Sequence, residues 1–233
     1  MHEMLQAFTE GMPLLELNID EATARKLCAF GEAVVEQNKV MNLTAITEPG
    51  AVARLHLLDS LTVMKGLDLK GKKVIDVGCG AGFPGVPLKI ACPEMKLTLL
   101  DSLGKRMKWL ETILPQLGVD AECVTARAEE EVAKRREQYD VATSRAVARL
   151  PVLLELSAPY VKVGGYVAAM KGTAMEEELQ EAQNAIAKLG LKLEKTMVFP
   201  FEGTNHTLIL LKKVKPTPPQ YPRKFAKIKQ SPL

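Results

Sequence analysis

Gly78, Gly80 and Gly82 stand two apart in the run Val74-Ile-Asp-Val-Gly-Cys-Gly-Ala-Gly-Phe-Pro-Gly85, directly after a short apolar stretch. Glycines at a strand end let the chain turn tightly and let its backbone approach a ligand with no Cβ in the way. Pro84 and Pro87 suit the first turn of a helix that would follow. Asp101 lies 25 positions beyond Asp76, at the end of a second apolar run, where a carboxylate accepts hydrogen bonds from ribose hydroxyls. Two phasings of the glycines compete. Gly80, Gly82 and Gly85 satisfy the G-x-G-x-x-G spacing of dinucleotide sites, but that match begins past the strand end, where the first glycine should sit. The match anchored at the strand end is D-x-G-x-G-x-G, from Asp76 to Gly82. A short-chain dehydrogenase would also carry Tyr-x-x-x-Lys, and none of the four tyrosines has lysine four places on.

The elements that must hold these residues can be read from periodicity. KKVIDVG, from Lys72, and KLTLLDS (96–102) are buried-strand runs, and Leu110, Ile113, Leu114 and Leu117 share one helical face after the second. Further strands are expected at 119–126, 139–144 and 163–170, with helices at 129–137, 146–160 and 175–189 between them. The last two strands, 191–199 and 207–213, pair antiparallel through the loop PFEGTNH. Before them, residues 1–65 read as helical: Asp20 caps one helix, Pro49 opens another, and Met41–Thr44 forms a turn. Strand–helix alternation implies a doubly wound α/β sheet with its ligand site at the carboxyl ends of the strands. The expected organisation is an N-terminal helical extension (1–65), an α/β catalytic domain (66–213) and a basic, proline-containing tail (214–233).

The D-x-G-x-G-x-G loop resembles motif I of the class I S-adenosylmethionine-dependent methyltransferases, a Rossmann-like fold whose mostly parallel sheet ends in an antiparallel hairpin. Base-amine methyltransferases carry (Asp/Asn)-Pro-Pro-(Tyr/Phe) after the fourth strand, where this chain reads Asp140-Val-Ala-Thr-Ser-Arg145. Pyrimidine C5 methylation needs a nucleophilic cysteine, commonly after proline, and none of Cys28, Cys79, Cys92 and Cys123 follows one. An acceptor with its own lone pair, such as a purine N7, needs only alignment against the donor methyl.

The likeness extends along the chain. Asn42-Leu43-Thr44, Arg54-x-His56-x-x-Asp59-Ser60-Leu61, Asp76-Val-Gly-Cys-Gly-Ala-Gly-Phe-Pro-Gly, Leu99-Leu-Asp-Ser-Leu-Gly-Lys-Arg106, Ser144-Arg145-Ala146 and Lys171-Gly172 resemble the bacterial 16S ribosomal RNA guanine-N7 methyltransferases, a family also known as glucose-inhibited division protein B. The resemblance spans about residues 20–213 and implies a cytoplasmic enzyme forming 7-methylguanosine in 16S rRNA, as free RNA or within the small ribosomal subunit. It implies S-adenosylmethionine as the methyl donor and cofactor, with Gly78, Gly80, Gly82, Phe83, Asp101, Ala128, Glu129 and Arg145 around it. Arg145, which ends the fourth strand, is also the candidate catalytic residue, with pairing to Glu129 as its duller alternative. Arg54, His56, Lys105, Arg106, Lys171, Arg223 and Lys224 are the RNA-binding candidates, Lys171 toward phosphate or guanine O6. No metal is expected, and the chain is expected to act as a monomer. A nicotinamide oxidoreductase and a non-enzymatic nucleic-acid-binding module are the rival readings.

Composition bounds all of this. The chain has 233 residues, 47% hydrophobic and 25% charged, with a mean hydropathy of +0.00, which excludes a disordered chain. No apolar run approaches the ~18 residues of a membrane span, and no signal peptide is expected from MHEMLQAFTEG. The cysteines show no C-x-x-C spacing, so neither a zinc knuckle nor a redox dithiol is indicated. The net charge of +3 hides a gradient: residues 1–50 hold eight acids and three bases, while 212–233 hold seven bases and no acid. Such a tail either meets phosphate backbone or is solvated and disordered.

Overall fold

Val74, Ile75, Asp76 and Val77 are all buried, which marks a strand covered on both faces rather than one. The computed structural model describes residues 1–145, 148–201 and 203–233. Among them seven strands form one sheet: β1 (Lys73–Val77), β2 (Lys96–Asp101), β3 (Glu122–Thr125), β4 (Tyr139–Arg145), β5 (Val161–Lys171), β6 (Leu191–Phe201) and β7 (Thr204–Lys213). Their order is β3-β2-β1-β4-β5-β7-β6. Pairing is parallel from β3 through β5, and β7 runs antiparallel to both β5 and β6. The expected terminal hairpin is therefore present, although Glu202 in its connection lies outside the described residues. Strand order reverses between β1 and β4, so the crevice at their carboxyl ends opens where loops diverge to opposite sides.

One face of the sheet is covered by α1 (His2–Gly11), α2 (Glu21–Met41) and a helical segment after Pro49. That segment comprises α3 (Pro49–Val52), a π-helical run (Ala53–Leu58), α4 (Asp59–Leu61) and α5 (Val63–Gly66). Asp20 caps α2 as expected, accepting from the Thr23 N–H at 2.7 Å. Asn42 ends α2 in a left-handed conformation, φ 50°, and opens the expected turn. Two sheet-crossover helices, α6 (Gly85–Ala91) and α7 (Gly104–Gln116), complete this layer. Phe8, Leu27, Phe30, Leu57, Leu61, Val86 and Leu110 share one core with Leu99 and Val141 of the sheet. The first 65 residues thus help bury the sheet, because a sheet face without a helical cover would leave its apolar side chains in water.

The opposite layer holds α8 (Ala128–Arg135), α9 (Leu150–Ser157), α10 (Met175–Glu181), α11 (Gln183–Lys188) and α12 (Phe225–Gln230). Val132, Leu150, Leu154, Ile186 and Ile228 meet Ile75, Val167 and Ile209 there. The helix expected from residue 146 is described from Leu150; Ala146 and Val147 lie outside the described residues.

The tail departs from expectation. Arg223 donates from its backbone N–H, Nε and Nη2 to the carboxylate of fully buried Glu155, at 2.9, 2.8 and 2.6 Å. Lys213 donates to Glu137 (3.1 Å) and to the Ala158 and Val161 carbonyls, and the Thr217 N–H donates to the same Glu137 oxygen at 2.8 Å. Arg136 donates to the carbonyls of Thr217 and Tyr221. Arg223 is bound inward because the buried Glu155 carboxylate demands a cationic partner, while Lys213 joins the half-buried Glu137 to two carbonyls. Arg223, an RNA-binding candidate in the sequence, is therefore turned to Glu155 with its side chain 17% exposed. Among the described residues, no helix is long and apolar enough to cross a membrane.

Candidate active site

A cavity of about 1000 Å³ opens at the carboxyl ends of β1, β2, β4 and β5. Gly78 and Gly80 line it, and with Gly82 they take φ of 72°, 56° and 97°, a region that side chains with a Cβ rarely adopt; Gly82, expected at the cofactor, instead turns its Cα toward the helical core. A Cβ on Gly82 would also lie 2.8 Å from Val86 and 3.1 Å from Phe30. Gly85 serves another purpose. Its N–H donates to Asp76 Oδ2 at 2.8 Å, and a Cβ there would stand 2.9 Å from that oxygen. The third glycine of the dinucleotide spacing is thus packed on a buried carboxylate instead of facing a phosphate. Asp76 keeps one oxygen without a partner, and burial pushes its pKa up to about 7. Burial likewise pushes the Cys79 thiol up, well above its ordinary range, so it packs as a small apolar group.

Asp101, at the end of β2, accepts from the Gly80 N–H (3.0 Å) and the Leu103 N–H (2.8 Å). Each carboxylate oxygen has a second lone pair, so the side chain braces the glycine loop and still has capacity for ribose hydroxyls. Ala128 and Glu129 begin α8 and line the same cavity, together with Leu103, Arg127 and Phe225. Glu129 leans toward Arg127, at 3.9 Å. The expected Gly78, Gly80, Asp101, Ala128 and Glu129 therefore line one cavity, joined by Leu103 and Arg127 and by Phe225 from the tail.

A second cluster is built around Phe83. His56 stacks on its ring with centroids 4.8 Å apart, and the Arg145 guanidinium carbon lies 5.0 Å from the ring centroid. Arg145 pairs with Asp59, not Glu129: Nη1 donates to Asp59 Oδ2 and to the Leu55 carbonyl, each at 3.0 Å. Its Nη2 lies 3.1 Å from His56 Nδ1. Asp59 Oδ1 in turn lies 2.9 Å from His206 Nδ1. Burial, and then the Arg145 cation, lower the His56 pKa to about 4, so this ring is neutral at physiological pH. Sequence reasoning assigned no role to Asp59 or His206. The three-residue spacing of His56 and Asp59 puts both on one helical face and could have exposed the first. His206 comes from the far hairpin and carries no local signal.

The RNA-facing candidates separate into two sets. Lys171 donates to the Ala148 carbonyl and pairs with Glu178 at 2.7 Å, its side chain only 6% exposed, so it holds α10 against β5 instead of reaching outward. Arg149 is held by Glu177 and Glu181. Arg54 is half-buried beside Glu48; the Gly50 and Ala51 N–H groups first, and Arg54 further, hold the Glu48 carboxyl below its usual range. Lys105, Lys108 and Lys224 are exposed, Arg106 half-buried at the cavity, and no ion pair engages any of the four among the described residues.

The family model of rRNA small subunit methyltransferase G matches residues 23–207. Ribosomal RNA small subunit methyltransferase G of Alkaliphilus metalliredigens is 46% identical, over 92% of each chain. The Clostridium kluyveri protein of the same name is 44% identical, over 94% of each. Among solved structures, M. jannaschii TYW2 in complex with AdoMet superposes with a TM-score of 0.56 at 13% identity, covering 68% of this chain and 76% of that one. A SAM-dependent methyltransferase from Aquifex aeolicus gives 0.53 at 20% identity, covering 69% and 93%. These two likenesses carry the fold, that of the S-adenosylmethionine-dependent methyltransferases. With the glycine turn, the Asp101 brace and the Arg145–Asp59 pair in one cavity, the chain belongs to the rRNA small subunit methyltransferase G family.

Proposed function

We propose that this protein, an S-adenosylmethionine-dependent rRNA methyltransferase, methylates N7 of one guanine in 16S rRNA, acting as a monomer in the cytoplasm. The observation that carries the choice of atom is the state of the carboxylates on the acceptor side. Asp59 is occupied by Arg145 and His206, and Glu178 by Lys171 and the Leu150 N–H. Neither is left to take a proton. N7 of guanine has a free lone pair and loses no proton on attack, so alignment alone supplies much of the rate.

The residues present fit the donor. Positive-φ glycines leave room along the loop, and the Asp101 carboxylate retains lone pairs for the ribose. When bound, S-adenosylmethionine supplies an electrophilic sulfonium methyl; the N7–C bond forms as the C–S bond breaks, leaving S-adenosylhomocysteine. Phe83 is buried under His56 and Arg145 and so holds these two side chains in place on the acceptor side. Lys105, Arg106, Lys108 and Lys224 position the RNA by its phosphates, which fix register without reading sequence. The Asp59–His206 pair favours a second reading, transfer to an exocyclic amine whose proton the imidazole would take. Incubation with labelled S-adenosylmethionine and unmethylated 16S rRNA or small subunits, followed by nucleoside analysis, separates them. The expected product is 7-methylguanosine; an N2- or N6-methylated nucleoside would sink the N7 assignment.

A further inference from the structure

With Lys171 turned inward, the cavity lacks the side chain expected to meet guanine O6. The hydrogen bonds around Thr44 supply another donor. The Thr44 Oγ1 accepts from the Ile46 N–H at 3.0 Å and lies 2.8 Å from His56 Nε2. The direction of the second contact follows from the other ring nitrogen. His56 Nδ1 faces Arg145 Nη2 at 3.1 Å, and a guanidinium only donates. A proton on Nδ1 would reach the Leu55 carbonyl at 3.1 Å but would stand against the Arg145 N–H, whereas an unprotonated Nδ1 accepts from Arg145 and leaves the Leu55 carbonyl its bond from Arg145 Nη1. The neutral ring therefore carries its proton on Nε2 and donates to Thr44.

Both lone pairs of the Thr44 hydroxyl are thereby filled by protein donors, and its single O–H donor has no acceptor among the described residues. The hydroxyl is also held in place. The Asn38 side-chain oxygen accepts from the Leu43 and Thr44 N–H groups at 2.5 and 2.9 Å, so the turn is fixed at its start and at Ile46. Thr44 is partly exposed and lines the cavity on the side of Phe83 and His56.

We infer that the Thr44 hydroxyl donates to O6 of the target guanine, and so selects guanine over adenine at the methylated position. The inference rests on the N7 reading above. Guanine presents two acceptors, O6 and N7, on the edge to be methylated, where adenine presents an amine donor beside N7. A donor aimed at O6 satisfies guanine and leaves N7 open for the methyl. Adenine would bring its amine against a hydroxyl whose lone pairs are already filled. Two donors then face each other with no acceptor between them, and leaving polar groups unpaired in a closed site discriminates strongly.

The test uses the full-length protein, with Thr44→Val and Thr44→Ser, on 16S rRNA carrying either guanine or 2-aminopurine at the methylated position. 2-Aminopurine keeps N7 and lacks O6. Thr44→Val should lose about 10- to 100-fold in kcat/KM on the guanine RNA, with S-adenosylmethionine affinity unchanged and Thr44→Ser close to wild type. On the 2-aminopurine RNA, wild type and Thr44→Val should be equally slow. A purely structural loss would slow Thr44→Val on both RNAs by the same factor, and that result, or full activity of Thr44→Val on guanine, overturns the inference alone. A wild-type product other than 7-methylguanosine overturns the N7 reading and this inference with it.

Discussion

Replacing Arg223 by alanine removes two of the three hydrogen bonds to the Glu155 carboxylate, those from Nε (2.8 Å) and Nη2 (2.6 Å), and leaves the backbone N–H at 2.9 Å. Glu155 has no exposed surface, so its charge remains buried without a counter-ion. Breaking such a pair costs about 3–5 kcal/mol. Arg223 is 17% exposed, so water reaches the vacated site in part and the lower end, about 3 kcal/mol, applies. For a chain of this size that corresponds to a fall in Tm of about 6–12 °C, measured by thermal unfolding at neutral pH. The consequence extends to the cofactor. Phe225, two residues on, lines the cavity with Ala128 and Glu129, so calorimetry should show weaker S-adenosylmethionine binding in the variant. Arg223→Met combined with Glu155→Leu removes both charges and should recover much of the lost stability, since an apolar pair of similar volume can replace a buried ion pair. An unchanged Tm for Arg223→Ala, or a double variant less stable than the single one, would refute the reading of the tail as a strap held by this pair.

Asp76 links stability to pH. Its folded-state pKa of about 7, against an ordinary 3.8, means the native state holds a proton that the unfolded chain has released. That stabilisation is complete below pH ~4 and is lost as pH rises through 7, on the order of 4 kcal/mol in all; denaturant titrations of wild type minus Asp76→Asn should show this slope, and a pH-independent difference would falsify it. Gly82→Ala places a Cβ 2.8 Å from Val86 at φ 97°, so urea unfolding should report a loss of about 1–3 kcal/mol. Lys105→Glu with Lys108→Glu should weaken RNA binding and reduce its salt slope by roughly 2, with S-adenosylmethionine affinity retained; an unaltered slope would remove these lysines from the interface.

Features that depend on near neighbours are legible in the amino-acid order. The glycine turn can be read because Gly78, Gly80 and Gly82 follow a strand, and only glycine takes positive φ there without strain. The strands and helices can be read because burial on a fixed period must appear in the sequence. Asp20 can be read as a cap because its partner, Thr23, is three residues away. Each of these rests on an interaction closed within a few residues.

Pairing across the fold cannot be read in that way. The order of charges along the chain makes the C-terminal segment look uniformly available to phosphate, yet Lys213 and Arg223 meet Glu137 and Glu155, 76 and 68 positions away. Arg145, for which the sequence offers pairing with Glu129 only as an alternative to substrate contact, joins Asp59, 86 positions before it, while His206 reaches the same carboxylate from the terminal hairpin. The amino-acid sequence by itself determined the sheet, the cofactor loop and the family. Only the tertiary structure decided which cations are taken by carboxylates of the body and which stay unpaired among the described residues. The physical reason is that a buried charge takes the partner that folding brings within about 3 Å, and composition records how many partners exist but not where they arrive.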